Sequence, residues 1–217
     1  MIIPPGRDGI TFRPPSEAAY ARIEVRDEMG RPVPHLVAKE GPSKRLMGID
    51  MVLKDLGHVE RHLSAAIAKE DDELTELRWH GAVIAYARAF VSADARGFKL
   101  EVKHVEGLGP AHMKTHHRVM TLRHEYIAHA GKNEEQRCMV ILPLDGDLSA
   151  PVINQVAVAH LVATSPGRAE LEQFLGLAQS LRVVVQEMFD RTGKAVTEHY
   201  SKKTPEELRR LAGITER

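Results

Sequence analysis

A single cysteine, Cys138, stands in a chain of 217 residues. That excludes an internal disulfide framework and any zinc site built on cysteine pairs, and it fits a reducing, cytoplasmic setting. No apolar run approaches the ~18–20 residues that a membrane-spanning helix needs, so no membrane partner is expected. The first residues, Met1 to Asp8, carry neither the basic start nor the long apolar run of a secretory leader. Excess charge is missing too. Thirty Lys and Arg balance thirty Asp and Glu, so composition alone does not mark a non-specific nucleic-acid binder, which is normally basic. What remains, 43% hydrophobic and 28% charged residues, is the balance of a globular chain, long enough to form a hydrophobic core without staples.

The residues that are present divide the chain. Seven of the twelve prolines lie in residues 1–45. Proline removes a backbone donor and breaks helices, so this stretch reads as an irregular arm. Within it Ala21 to Arg26 alternates at period two and Met29-Gly-Arg-Pro32 offers a turn, which predicts a short strand or hairpin. The arm packs on its own domain in one reading and faces a partner or substrate in the other.

Beyond it the period is helical. Ile49, Val52, Leu56, Val59, Leu63 and Ile67 form an apolar stripe over 46–69, with His58, Arg61 and His62 on the solvated side. Trp79, Val83, Tyr86 and Phe90 form an aromatic core stripe over 72–93, with Arg88 near its end read as a surface cation or as turned toward the third helix. Gly97 and Gly107-Leu-Gly-Pro110 punctuate a connector over 94–109 that lacks the spacing of a phosphate-binding loop. A third helix runs from Met113, with Pro110 suited to its first turn and Gly131 suited to its end. Then the period changes. Arg137 to Pro143 leans to strand, Asp145-Gly146 signals a turn, and Val152 to Val162 reads as strand or as helix. Ser165-Pro166 opens a fourth helix whose buried face is Leu171, Phe174 or Leu175, Ala178, Leu181, Val185 and Met188 or Phe189. Thr204-Pro-Glu-Glu207 opens a last one as a capping box. The expected fold is mainly α: an antiparallel helical bundle over 46–200 with a small β-hairpin appendage at about 136–163, the Pro-rich arm 1–45, and a short C-terminal helix in 201–217.

The chemistry concentrates on the third helix. From Pro110 to Asn133 there are four Lys or Arg, one acid and five of the twelve histidines. Arg123 and His129 are separated by five residues, with His124 next to the arginine. A permanent cation and a group that titrates near neutral pH thus share one helix end.

Arg123-His-Glu-Tyr-Ile-Ala-His129 resembles the signature of HEPN domains (higher eukaryotes and prokaryotes nucleotide-binding): an Arg, a polar residue, and a His several positions on, within an all-helical domain. Leu122-Arg123-His124 followed by Ala128-His129 is close to the common form of that motif. The motif covers about a tenth of the chain, and the flanking helices extend the resemblance, loosely, over 46–192. The resemblance implies a helical bundle of HEPN type and a metal-independent endoribonuclease, a toxin or phage-defence effector. His129 would be the general acid or base on the ribose 2′-hydroxyl, and Arg123 would hold the scissile phosphate. His124 would take the auxiliary polar position, where the family more often has Asn or Asp. His116, His117, Lys132 and Asn133 would contact the substrate. The implied partners are RNA, a second copy in a homodimer, and an antitoxin or other protein. No cofactor and no metal are implied.

The residue types suit these tasks. An acid–base group works best with a pKa near the working pH, and a planar guanidinium grips phosphate through two parallel hydrogen bonds. The alternative is a non-catalytic dimeric HEPN-like module that binds RNA, a nucleotide or a protein partner. Metal binding is the other reading of the histidines. His112 and His116 stand at i and i+4, but no cysteine or carboxylate completes a shell, and His124-Glu125 to His129 is one residue too long for H-E-x-x-H.

Overall fold

Apolar residues at near-heptad spacing make the first helix of the computed structural model, α1 (Ser43–Ala68). The structure describes residues 11–13, 24–33, 35–69, 74–91, 96–124, 136–142, 144–145, 152–153, 157–162 and 166–212. Ile49, Val52, Leu56, Val59 and Leu63 are all fully buried along α1, while Ile67 packs only partly against the core. The aromatic stripe of α2 (Thr75–Phe90) behaves alike: Trp79, Val83 and Tyr86 are buried. The connector that follows contains a short helix, α3 (Val102–Glu106), begun by Glu101, whose N–H donates to His104 Nδ1 at 2.9 Å. Helix α4 (Pro110–Leu122) starts with Pro110 after Gly109, whose φ of 100° suits glycine. It buries His116, Val119 and Leu122. The long α5 (Arg168–Ser201) buries Leu171, Phe174, Leu177, Ala178, Leu181 and Val185 at helical spacing. It begins after Pro166, with Gly167 C=O accepting from the N–H groups of Glu170 and Leu171. The chain is mainly helical.

The chain divides into two compact units, 44–193 and a second made of 1–43 with 194–217. In the larger unit, α1, α2, α4 and the first part of α5 share one core. Phe174 is its hub, with the Trp79 and Tyr86 rings edge-on to it at 5.5 and 5.2 Å. Aromatic pairs in this geometry add to the stabilisation from area burial. This unit also holds the strands β3 (Gln136–Ile141), β4 (Leu144–Asp145), β5 (Val152–Ile153) and β6 (Ala157–Val162). β3 pairs antiparallel with β6 (Gln136 opposite Val162, Ile141 opposite Ala157) and β4 with β5.

In the smaller unit, β1 (Thr11–Arg13) pairs antiparallel with β2 (Glu24–Arg26). The chain then reverses on Asp27. Its carboxylate accepts from the N–H groups of Met29 and Arg31 and pairs with Arg31 Nε at 2.7 Å. These bonds hold the Asp27 carboxyl below its ordinary pKa. Val33 N–H returns to Val25 C=O at 2.7 Å. The later part of the arm meets the end of α5 where Glu40 N–H donates to Tyr200 Oη. The last helix, α6 (Pro205–Leu211), carries a complete capping box, with Thr204 Oγ1 accepting from Glu207 N–H and the Glu207 carboxylate accepting from Thr204 N–H.

Candidate functional site

Helix α4 keeps its regular ladder through Leu122 and then widens into a π-type turn at Arg123 and His124. Such turns occur often at functional positions. Arg123 is half-buried and His124 exposed. Both sit where the carbonyl dipoles of α4 accumulate, an end that favours cations. His129, Lys132 and Asn133, the remaining members of the sequence-derived site, lie outside the described residues.

The other histidines of α4 have separate environments. His116 was expected to contact substrate; the structure places it in the core, 4% exposed. Its Nδ1 is hydrogen-bonded to Tyr86 Oη at 2.8 Å, and its ring lies 4.8 Å from that of Phe90. Burial, and secondarily the neighbouring His117, hold the His116 pKa below its ordinary value, and burial pushes the Tyr86 phenol up. Burial thus disfavours the charged form of both partners. The histidine's position follows from α4 itself: His116, Val119 and Leu122 share one buried face at helical spacing. His117, one residue on, is exposed. His112 Nε2 lies 3.4 Å from Ser180 Oγ on α5, and Arg118 pairs with Glu170 of α5 at 3.2 Å. Among the described residues, no three His, Cys, Asp or Glu side chains are grouped to hold a metal ion.

A second constellation lies between α1 and α2, and the sequence reading missed it. Met51, Lys54, Asp55, His58 and His62 form one stripe of α1, and Gly81, Ile84, Ala85 and Arg88 a facing stripe of α2. With Arg96 from the following loop they line a half-open cleft of about 630 Å³. Asp55 is its centre. The residue is only 5% exposed, yet it draws in two guanidiniums: Arg96 Nη1 lies 2.8 Å from Oδ2 and Arg88 Nη2 3.6 Å from Oδ1. Oδ2 makes no aligned hydrogen bond. Arg96 is held further by donating to Arg88 C=O at 2.9 Å.

Two glycines shape this cleft. A Cβ on Gly48 would lie 2.0 Å from Arg96 C=O and 2.8 Å from Phe98 N. Glycine therefore lets the loop that carries Arg96 close on α1, two turns before Asp55. A Cβ on Gly81 would meet the His62 ring at 3.1 Å, so glycine lets that ring approach α2 closely. Burial, followed by His58, Arg61 and Arg78, lowers the His62 pKa. The missed signal was a polar residue, Asp55, on the α1 face at i+7 from Gly48 and i−7 from His62.

Among the described residues, no helix is long and apolar enough to cross a membrane. The chain matches no protein-family model, no curated protein and no solved structure.

Proposed function

We propose that this protein is a metal-independent endoribonuclease of HEPN type, acting as a homodimer in toxin or phage-defence chemistry. Under this reading the larger unit is a HEPN-type bundle and the paired strands β3 to β6 are its appendage. The observation that carries the reading is the end of α4, where a half-buried Arg123 is followed by an exposed His124 at a widened turn. Partial burial lowers the local dielectric and strengthens a guanidinium–phosphate contact. Arg123 would grip the scissile phosphate and offset the charge that develops in the transition state. His129 would remove the 2′-hydroxyl proton or protonate the leaving oxygen, with a cyclic phosphate as product. Lys114 and His117, both exposed on α4, supply further contacts for the RNA backbone, whereas His116 has its Nδ1 committed to Tyr86.

The test is cleavage of RNA in excess EDTA by the wild type, Arg123→Ala and His129→Ala, each checked for folding and for mass in solution. The wild type is expected to leave 2′,3′-cyclic ends. His129→Ala should lose about 10²–10⁴-fold in rate, the usual worth of a general acid or base. Equal cleavage by all three proteins would overturn the assignment. Binding without cleavage in all three would replace it by the non-catalytic module.

A further inference from the structure

We propose that the cleft between α1 and α2 is a binding site for a phosphate monoester carried on an apolar group. Its volume, about 630 Å³, is in the range of small-molecule sites. Its lining has two characters. Met51, Ile84 and Ala85 are apolar, and Met51 and Ile84 are 39% and 47% exposed. Lys54, Arg88 and Arg96 are permanent cations, and Asp55 is the one carboxylate among the lining residues.

The charges choose the ligand. Asp55 takes the charge of Arg96, whose side chain is 12% exposed and fixed from two sides. Arg88 is different. Its side chain is 61% exposed and stands 3.6 Å from Asp55, so it can turn to a ligand while Asp55 keeps it at the mouth. Lys54 is 70% exposed and paired with Asp50, a surface pair of the kind that contributes little and exchanges readily. Two cations are thus offered together. A carboxylate would neutralise one of them. A phosphate monoester, with a charge of about −1.5 to −2 at pH 7 and three acceptor oxygens, matches both. It also accepts hydrogen bonds from the Arg88 fork and from ring nitrogens of His58 and His62. The ester's apolar group would cover Met51 and Ile84. Asp55 is a positioning residue here, since it acts through the two arginines.

The test is isothermal titration of the full chain with phenyl phosphate, AMP, inorganic phosphate and benzoate. Phenyl phosphate and AMP are expected to bind more tightly than inorganic phosphate or benzoate. Arg88→Gln should weaken both esters tenfold or more, without loss of fold because the side chain is exposed. Ile84→Ser should weaken phenyl phosphate and leave inorganic phosphate unchanged. Phenyl phosphate tighter than AMP is the expected ranking; tighter binding of AMP would replace the apolar group with a polar nucleoside and overturn that part of the proposal. Equal affinity of wild type and Arg88→Gln for the esters, benzoate as tight as phenyl phosphate, or no binding of either ester at millimolar concentration would overturn the proposal. None of these outcomes depends on RNA cleavage.

Discussion

At the scale of single residues, the Tyr86–His116 pair ties acid sensitivity to the core. Both His116 and His62 have folded-state pKa values below the ordinary 6.5, chiefly through burial. The unfolded chain therefore binds more protons than the folded chain as pH drops below about 6.5, so their stabilising contribution is present above that pH and is lost on acidification. The urea midpoint is expected to fall as the pH is lowered from 7.5 to 5.5, and His116→Gln, which can still hydrogen-bond to Tyr86, should flatten that fall. An unchanged slope in His116→Gln would assign the acid sensitivity to other groups. Tyr86→Phe strands the buried His116 Nδ1 and is expected to cost about 1–3 kcal/mol at pH 7.5 in the same measurement. The buried role of His116 was hard to read from sequence because histidine at helical spacing serves core and surface equally well. The α4 period sets it on one face with Val119 and Leu122, and Tyr86, thirty residues away, supplies the hydrogen bond it makes there. Of the motif, Arg123 and His124 lie among the described residues, at the end of α4.

Elements with a clean apolar period were the legible part of the fold. The α1 stripe from Ile49 to Leu63, the aromatic stripe of α2 and the buried face of α5 each follow from the 3.6-residue repeat acting on one chain segment. The α1–α2 cleft follows from none of them. It needs two polar stripes from different helices and a loop brought onto α1, and no local pattern encodes that approach. Gly48 was an unremarked residue inside a helix until the neighbouring backbone was placed against it. Gly48→Ala is therefore expected to destabilise, against the direction of helix propensity. Alanine would favour the helix by about 1 kcal/mol, but its Cβ would meet backbone at 2.0 Å, and overpacking of this kind typically costs about 1–3 kcal/mol. Urea unfolding should show a net loss, and phenyl phosphate affinity should fall with it, because Arg96 would be pushed from Asp55. A stabilised Gly48→Ala variant would mean that the Arg96 loop moves aside without penalty, and the fixed arm of the cleft would lose its support.

For the whole molecule, a formal net charge of zero constrains how RNA could be held. Long-range attraction from total charge is absent, so affinity has to come from local cations, and those on the described part of α4 are Lys114, Arg118 and Arg123. Arg118 is paired with Glu170, which lessens its share. Neutralising about three phosphates of a single strand gives a slope of about −2 in log affinity against log salt, or roughly a twentyfold loss between 50 and 200 mM. Filter binding of single-stranded RNA to the His129→Ala protein across that range measures the slope directly. A loss near twentyfold agrees with contacts confined to α4, and Arg123→Ala should then lower the slope by about 0.7. A loss of a thousandfold or more would require about seven or more phosphate contacts. The basic surface would then extend beyond α4, and the α4 motif would no longer account for how the RNA is held.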